Sequence, residues 1–347
     1  CHVSPCHVPL SELVILNKVK NLKVNLEKIN GILELELMHN NIDSKIESFE
    51  RLTSNPCNLC PRMCGTDRNI RTGFCQSSNR MKVARAAVHF WEEPCISGTR
   101  GSGTVFFSGC VLRCCYCQNY RISSEGFGQE ISIPRLADIF LELQDKGAHN
   151  INLVTATHYL DQVLQALDMI KGELHIPVLY NSSGYERVEV IRALKDYVDI
   201  FLPDFKYMSS DLSLKYSHAK DYSEVAAAAI KAMIDQSGSL VFDEEGIVQK
   251  GVIIRHMVLP GARKDSFAII KWISDNLPHD KFMLSLMSQY TPLYNSKEHK
   301  EINRRVTTYE YESVVEEAVR LGLDNGFMQE RSSAQEDYTP PFDLEGV

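Results

Sequence analysis

Three features that would assign the chain to a common functional class are missing from its 347 residues. It has no basic excess: 37 Lys and Arg against 45 Asp and Glu give a net charge of −8, whereas a nucleic-acid-binding surface needs a basic face. It has no apolar run of the ~18 residues that suggest a membrane span, and its first residues show no signal-peptide pattern. We therefore expect a cytoplasmic protein that binds neither nucleic acid nor membrane.

Cysteine is absent from the last two thirds of the chain. All eleven cysteines lie at or before position 117. The length of the chain argues against a secreted disulfide framework, and clustered cysteines in a cytosolic protein more often bind metal. Such a site would be oxygen-sensitive, so we expect a reducing, anaerobic cytoplasm. The length also suffices for one large domain and a smaller one.

The most informative cysteines form one short loop. Cys110, Cys114 and Cys117 are spaced Cys-x3-Cys-x2-Cys, with Tyr116 before the last and an apolar stretch, 104–107, leading in. Three thiolates can hold three irons of a 4Fe–4S cluster, whose usual complement is four cysteines. The fourth iron then has an open position, which is where a metal site does chemistry. The spacing predicts an enzyme whose substrate or cofactor binds iron.

A second set of four cysteines precedes this loop. Its members are Cys57, Cys60, Cys64 and Cys75. Gly65 and Gly73 lie among them, as expected for tight loops around a metal. Four ligands make a closed site, so we expect a structural role. Zinc and a second iron–sulfur cluster both fit, because spacing alone does not select a metal, and unliganded thiols are the remaining alternative.

From about residue 102, short apolar runs alternate with amphipathic stretches. The apolar runs predict buried strands at 105–107, 151–154, 177–180, 198–202, 252–259 and 282–286. The amphipathic stretches predict helices at 134–146, 159–170, 185–195, 222–236 and 265–276. This alternation implies parallel strands with right-handed crossovers. Six units are fewer than a full eight-unit barrel has, so we predict an α/β fold, a partial (β/α)6 TIM-like barrel with an N-terminal cysteine-rich metal-binding segment.

The chain divides into four expected parts. They are an N-terminal extension at 1–52, the cysteine-rich metal-binding segment at 53–100, the barrel at 101–290, and a C-terminal helix, strand and tail at 291–347. Within the extension, Cys1, His2, Cys6 and His7 suggest another metal site. An untidy terminus is the simpler interpretation, because chain ends tolerate change.

Polar residues follow the predicted strands, and in parallel barrels the active site lies at the carboxyl ends of the strands. The candidates are Thr155, Thr157, Asn181, Ser183, Asp204, Lys206, Arg255 and His256. Asp204 and Lys206 are two apart on a strand, so they share a face and form a buried pair if that face is the interior. Only one of Arg255 and His256 can face inward along an extended strand.

These motifs resemble those of radical S-adenosylmethionine enzymes and, within that superfamily, the pyruvate formate-lyase-activating-enzyme-like proteins. The resemblance covers roughly residues 55 to 330 and is carried by Cys-Asn-Leu-Cys-Pro-Arg-Met-Cys at 57–64, Glu-Glu-Pro at 92–94, the loop through Gln118 and Asn119, Tyr-Asn-Ser-Ser-Gly-Tyr at 180–185, Asp-Phe-Lys at 204–206 and Arg-His-Met-Val-Leu-Pro-Gly at 255–261. It implies that the open iron chelates S-adenosylmethionine, whose reductive cleavage gives a 5′-deoxyadenosyl radical that takes hydrogen from a substrate.

The resemblance also implies roles for the loop and the second strand end. Cys110, Cys114 and Cys117 would be the catalytic cluster ligands, and Tyr116 would lie beside the adenine, with ordinary packing as the alternative. The family often carries Gly-Gly-Glu where this chain has Thr at 155 and 157. Threonine hydroxyls would accept a hydrogen bond from the methionine amino group more weakly than Glu does. A turn role is the alternative for both.

The remaining strand ends are expected to complete the cofactor site. Asn181 and Ser183 would bind ribose hydroxyls or the methionine carboxylate, unless they serve only the turn at Gly184. Lys206 would hold a carboxylate of the cofactor or a substrate, and a structural ion pair with Asp204 is the alternative. By resemblance His256 is expected on the cofactor side, against the alternative of a core histidine.

Two substrate classes fit the resemblance. One is activation of a glycyl-radical enzyme, in which a backbone glycine loses a hydrogen, and the other is a different peptide or metabolite modification. A reductant such as flavodoxin or ferredoxin would be a partner, and a protein substrate would be another. An iron–sulfur electron-transfer or binding protein without radical chemistry, or a zinc-stabilised barrel, are the competing classes. The open-iron spacing and the polar strand ends argue against both.

Overall fold

The computed structural model describes residues 56–329 and 339–347. All described residues belong to one compact unit, Leu52–Val347. The expected N-terminal extension, with its cysteines and histidines, lies outside the described residues. Among those that are described, no helix is long and apolar enough to cross a membrane.

A large, mostly parallel sheet dominates the fold. Its strands are β1 (Lys82–His89), β2 (Ser102–Phe107), β3 (Gln129–Glu130), β4 (Ile151–Val154), β5 (Val178–Ser182), β6 (Ile200–Pro203), β7 (Val241–Phe242), β8 (Val248–Met257), β9 (Phe282–Met287) and β10 (Gly326–Met328). The order is β10-β9-β8-β6-β5-β4-β2-β1-β3, with β7 paired to β8 alone. Every pair from β2 to β10 along this path is parallel. The first and last strands of the path do not pair, so the barrel stays open.

Helices follow most of the parallel strands. They are α1 (Pro94–Ser97), α2 (Tyr120–Ser123), α3 (Ile133–Asp145), α4 (Leu160–Met169), α5 (Val188–Ala193), α6 (Ser210–Ser217), α7 (Tyr222–Ser237), α8 (Arg263–Asn276) and α9 (Thr308–Arg320), with 3-10 turns at Thr157–Tyr159 and Tyr294–Glu298. Helix α3 shows why. Ser132 caps its N-terminus by accepting from the Arg135 N–H. Leu136, Phe140 and Leu143 recur at helical spacing and bury one face against the sheet.

The predicted partial barrel is confirmed. Each of the six predicted strands overlaps an observed one, and together these form the parallel run β2, β4, β5, β6, β8 and β9. The structure adds an antiparallel edge, in which β1 pairs with β2 and β3 pairs with β1. Strand β1 reads Lys-Val-Ala-Arg-Ala-Ala-Val-His. Its alanines replace the β-branched and aromatic residues that mark strands, which explains why the sequence pattern did not reveal it.

The barrel interior has an apolar layer beneath a polar one. The apolar layer consists of Cys95, Ile96, Leu179, Ile200, Leu202, Val248, Ile253 and Met283, all buried. Two residues beyond Leu179, Leu202 and Ile253 come Asn181, Asp204 and Arg255. Because strand side chains alternate between faces, these polar groups point into the same interior. The apolar layer therefore closes one end of the barrel, and the polar layer lines the other.

Candidate active site

A cavity of about 220 Å³ opens at the carboxyl ends of the parallel strands. The predicted residues on its wall are Cys110, Cys114, Tyr116, Cys117, Thr155, Asn181, Ser183, Asp204 and Lys206. They come from the loop after β2 and from the ends of β4, β5 and β6, which adjoin in the sheet. Thr157 and His256, also predicted, do not line it. The structure thus brings most of the sequence candidates together at one site.

The cysteine loop leaves β2 through a position that only glycine fills. Gly109 has φ +96°, in the left-handed region. A Cβ there would overlap the hydroxyl oxygen of Ser77 and lie 2.7 Å from the carbonyl oxygen of Cys75. The loop therefore passes close against the cysteine-rich segment before it turns into the cavity, because glycine alone tolerates both the dihedral and the contact.

Each sulfur of the loop accepts one hydrogen bond. The Leu112 N–H donates to Cys110 Sγ at 3.4 Å. The hydroxyl of Ser217 donates to Cys114 Sγ at 3.0 Å, and the hydroxyl of Ser123 donates to Cys117 Sγ at 3.3 Å. Burial raises the pKa of all three thiols, and these donors offset part of that rise because they stabilise the thiolate, the metal-binding form. This donor set fits a 4Fe–4S cluster with three protein ligands.

Cys115 does not belong to this set. Its side chain is buried but does not line the cavity, and its backbone N–H donates to the carbonyl oxygen of Tyr216 at 2.8 Å. Among the described residues, no group of three or more His, Cys, Asp or Glu side chains converges as the ligands of one ion do. Cubane ligands need no such convergence, because each thiolate binds a different iron.

A network of charges lies beside the sulfurs. The guanidinium of Arg255 donates to Asp204 Oδ1 at 2.9 Å, to Glu92 Oε2 at 3.2 Å and to Asn181 Oδ1 at 2.6 Å. Lys206 Nζ donates to Asp204 Oδ2 at 2.5 Å. The charges of the two carboxylates, Asp204 and Glu92, balance those of the two cations, Arg255 and Lys206. Charged groups are rarely this buried without a partner or a task.

Asp204 is the centre of that network. Burial alone would raise the pKa of its carboxyl, but Arg255 and Lys206 on either side hold that pKa below its usual value. Burial would likewise lower the pKa of Lys206, and Asp204 outweighs it, so the pKa of the lysine is raised. Both groups are therefore charged at neutral pH, and the cavity wall carries an anion and a cation side by side.

The structure places Arg255 on the cavity wall, where the resemblance had led us to expect His256. His256 points the other way, with Nδ1 2.8 Å from the Phe205 carbonyl oxygen and Nε2 2.9 Å from the Ser266 hydroxyl. Burial lowers the pKa of His256 to about 4. Its surroundings match the core-histidine alternative. Counting alternate residues back to the apolar Ile253 would have identified Arg255 as the inward residue.

The two predicted threonines lie in different places, one on the cavity wall and one behind it. Thr155 lines the cavity and has φ +58°, an outlier for a β-branched residue. Thr157 is buried behind the wall, where it donates to Glu186 Oε1 at 2.7 Å and accepts from the Tyr180 hydroxyl at 3.0 Å. Burial raises the pKa of Glu186 to about 8. Only Thr155 is placed to touch a molecule in the cavity.

Glu92 had no role assigned from the sequence. It precedes β2, yet its Oε1 accepts from Asn152 at 3.0 Å and from Asn181 at 3.4 Å. Its carboxylate thus accepts hydrogen bonds from residues of β4, β5 and β8. A contact between residues so far apart in the chain leaves no periodic pattern in the sequence. The sequence feature that could have drawn attention to Glu92 is the Glu-Glu-Pro motif at 92–94.

Three cysteines of the second set, Cys57, Cys60 and Cys64, lie in one loop that two backbone hydrogen bonds close. The Cys57 N–H donates to the Thr66 carbonyl oxygen, and the Gly65 N–H donates back to the Cys57 carbonyl oxygen, both at 3.1 Å. A Cβ on Gly73 would stand 3.3 Å from Cys64 Sγ and 3.6 Å from Cys75 Sγ. The missing side chain leaves room around these sulfurs, as a metal site needs.

Arg62 connects the second set to the first. Its Nε donates to the Val111 carbonyl oxygen at 2.9 Å, and Nη2 donates to the Ser217 carbonyl oxygen at 3.0 Å. The guanidinium also lies 4.1 Å from the ring centroid of Phe74. One side chain from the cysteine-rich segment thus holds both the cavity loop and the end of α6.

Comparison with known proteins adds four similarities. The sequence model of the Radical SAM superfamily matches residues 104–268. An uncharacterised protein of Methanocaldococcus jannaschii is 32% identical over 295 residues, which cover 82% of this chain and 80% of that protein. Streptococcus suis SuiB bound to S-adenosylmethionine is 15% identical with a TM-score of 0.42, covering 64% of this chain and 48% of SuiB. This chain therefore spans less than half of SuiB.

A shorter solved structure is also similar. It is a domain of a pyruvate-formate lyase-activating enzyme from Bacteroides vulgatus ATCC 8482, 14% identical with a TM-score of 0.35. The match covers 48% of this chain and 89% of that domain. The superfamily match, at 104–268, begins inside β2 and includes the cysteine loop and the ends of β4, β5, β6 and β8 on the cavity wall.

Proposed function

The chain belongs to the radical S-adenosylmethionine superfamily, and from this premise we propose that its cavity performs hydrogen abstraction on a protein or small-molecule substrate. One observation carries the proposal: the sulfurs of Cys110, Cys114 and Cys117 open on the same cavity as the polar strand ends. When bound, a 4Fe–4S cluster supplies the electron that cleaves S-adenosylmethionine to methionine and a 5′-deoxyadenosyl radical, which removes the substrate hydrogen.

The three cysteines act as thiolate ligands of the cluster. Metal ligation requires that each thiol lose its proton. The hydrogen bonds from Leu112, Ser123 and Ser217 stabilise the sulfurs in that state and fix their direction. Because the loop supplies only three ligands, one iron is left for a cofactor.

The charges of Asp204 and Lys206 at the cavity wall are complementary to the ammonium and carboxylate of an amino acid. S-adenosylmethionine carries an ammonium and a carboxylate on its methionine part. Asp204 and Lys206 present an anion and a cation 2.5 Å apart, so each can face one end of that zwitterion. Thr155 adds a hydroxyl in place of the missing Gly-Gly-Glu, and its strained backbone is typical of a functional position.

The adenosine part fits the remaining wall. Tyr116 supplies a buried aromatic ring beside Cys117, suited to contact with adenine. Asn181 and Ser183 supply hydrogen-bonding groups for ribose hydroxyls. Tyr116 and Asn181 are buried and Ser183 is half-buried, so this side of the cavity is shielded from bulk solvent.

The substrate is proposed only as a class. The activating-enzyme-like motifs at 57–64, 180–185 and 204–206 support a glycine Cα–H of a glycyl-radical enzyme as one candidate target. A different peptide or a metabolite is the other. A flavodoxin or ferredoxin in an anaerobic cytoplasm would supply the electron.

The second cysteine set is proposed as a structural metal site, for zinc or another iron–sulfur cluster. Zinc needs four sulfurs at about 2.3 Å from one ion, so its binding would draw Cys57, Cys60, Cys64 and Cys75 together and couple metal to folding. Metal analysis of a variant with Cys110, Cys114 and Cys117 replaced by Ala identifies the metal. Finding neither zinc nor iron in that folded variant would refute this site.

One anaerobic experiment tests the radical chemistry. The protein is loaded with iron and sulfide, reduced, mixed with S-adenosylmethionine and assayed for 5′-deoxyadenosine. Cys114→Ala should abolish the product, whereas Cys115→Ala, one residue away and off the cavity, should retain it. A fully loaded, reduced protein that forms no 5′-deoxyadenosine would overturn the proposal.

A further inference from the structure

Three buried hydroxyl groups form a chain that ends on a cluster ligand. The Tyr116 and Tyr207 hydroxyl oxygens are 2.5 Å apart, and that of Tyr207 is 2.7 Å from Ser217 Oγ. Ser217 Oγ lies 3.0 Å from Cys114 Sγ. Ser217 and Tyr207 are fully buried, and Tyr116 is 4% exposed. We call these three residues the hydroxyl chain.

The ligand at its end fixes the direction of every hydrogen bond in the chain. A metal-bound Cys114 is a thiolate and has no proton to donate. Ser217 must therefore donate to the sulfur. Since each hydroxyl carries one proton, Ser217 must in turn accept from Tyr207, and Tyr207 from Tyr116. The protons all point toward the sulfur.

We propose that Ser217 is a positioning residue that raises the reduction potential of the cluster, with Tyr207 holding its hydroxyl in the donating direction. This rests on the function proposed above. Reduction adds negative charge to the cluster and its sulfurs, so a hydrogen bond to a ligand sulfur stabilises the reduced form more than the oxidised one. Burial strengthens that hydrogen bond, because the Ser217 hydroxyl is fully buried.

Ser217 differs from the other two donors in its origin. Leu112 belongs to the cysteine loop and Ser123 to the helix α2 that follows it, whereas Ser217 is the last residue of α6, far along the chain. Two contacts hold that end against the loop: Arg62 binds the Ser217 carbonyl oxygen, and the Cys115 N–H binds that of Tyr216. The potential of the cluster is thus set in part by where a separate helix ends.

Redox titration of the loaded protein, followed by electron paramagnetic resonance of the reduced cluster, tests this. Ser217→Ala should shift the midpoint potential to a more negative value at unchanged iron and sulfide content. Tyr207→Phe, which removes the donor to Ser217, should shift it in the same direction by less. Ser213→Ala is the matched control, because Ser213 is buried on the same helix and donates only to the Ser210 carbonyl oxygen.

The outcomes of this experiment distinguish failure of the inference about Ser217 from failure of the proposed function. An unchanged midpoint in loaded Ser217→Ala overturns the inference and leaves the proposed function standing. If Ser217→Ala does not fold, Tyr207→Phe decides, and an unchanged midpoint there overturns it as well. An equal shift in Ser213→Ala would trace the effect to α6 and also refute it. A wild-type protein that loads no cluster refutes the proposed function instead.

Discussion

The backbone N–H of Cys110 donates to the carbonyl oxygen of Cys75 at 3.2 Å. The first residue of the cavity loop is thereby bonded to the last cysteine of the second set. The contact is possible because Gly109, next to Cys110, has no side chain to hold the two segments apart. The two cysteine sets, separate in sequence, are thus joined directly by a backbone hydrogen bond at the cavity wall.

Replacing Gly109 should break this junction. Gly109→Ala places a Cβ against Ser77 and Cys75 at φ +96°, which we expect to cost about 3 kcal/mol from strain and overlap together. Iron content and thermal unfolding should both fall. Gly126→Ala is the control, since Gly126 has φ +70° and nothing within 4 Å of its Cβ position. It should cost only about 1 kcal/mol, and equal losses in the two variants would contradict the contact.

Thr155→Gly should separate stability from binding. Glycine relieves the left-handed backbone at Thr155, so the free energy of unfolding should rise by about 1 kcal/mol. The hydroxyl that faces the cavity is lost, so affinity for S-adenosylmethionine, measured by calorimetry on the loaded protein, should fall several-fold. A variant that is stabilised yet binds as tightly as wild type would remove Thr155 from the cofactor site.

Thr157→Val should show the opposite pattern. Thr157 bonds Glu186 and Tyr180 behind the cavity wall, and losing its hydroxyl leaves both groups short of a partner. We expect a loss of about 2 kcal/mol of stability with little change in cofactor affinity. Both quantities come from the same calorimetric and unfolding measurements. A larger effect on affinity than on stability would show that Thr157, too, serves the cofactor.

His256 should make the protein less stable in acid. Its folded pKa of about 4 lies below the ordinary histidine pKa of about 6.5, so between these two values the unfolded chain binds a proton that the folded protein does not. Stability from this group is full above pH 6.5 and falls as the pH drops toward 4, by up to about 3 kcal/mol. Its ring contacts the Phe205 carbonyl oxygen and Ser266, with Asp204 and Lys206 nearby acting in opposite senses.

Chemical unfolding of wild type and His256→Gln at pH 7, 6 and 5 checks this. The variant should lose less stability than wild type over this range, because it has no imidazole to protonate. His158, buried with its pKa lowered to about 3, contributes in the same direction and remains in both proteins. Parallel curves for the two proteins would contradict the burial of a neutral His256.

The sequence was most informative where local pattern and topology agree. Strand ends such as Asn181 and Asp204 were predictable, because parallel strands carry their carboxyl ends to one side. Glu92 was not, since it lies in a loop, its partners lie on three different strands, and no local rule joins them. The choice between Arg255 and His256 depended on which side chain points inward along β8. The family resemblance favoured His256, whereas the alternation of side chains along a strand favoured Arg255.

Arg62 should matter to the cavity although it lies in the second cysteine set. Arg62→Ala removes the bonds to the Val111 and Ser217 carbonyl oxygens, so the loop and the end of α6 lose a shared anchor. We expect less iron at Cys110, Cys114 and Cys117 while the metal at the second set is retained. Arg62→Lys should not restore it, because one ammonium cannot reproduce the planar guanidinium that reaches both segments.

Metal analysis and cluster spectra of the two Arg62 variants measure this effect. Arg71→Ala, an exposed arginine of the same segment, should behave as wild type. If Arg62→Ala keeps a full complement of iron at the cavity loop, the guanidinium is not the anchor. If instead both metals are lost together, the two cysteine sets fold as one unit, and the backbone bond between Cys110 and Cys75 becomes the stronger explanation for their coupling.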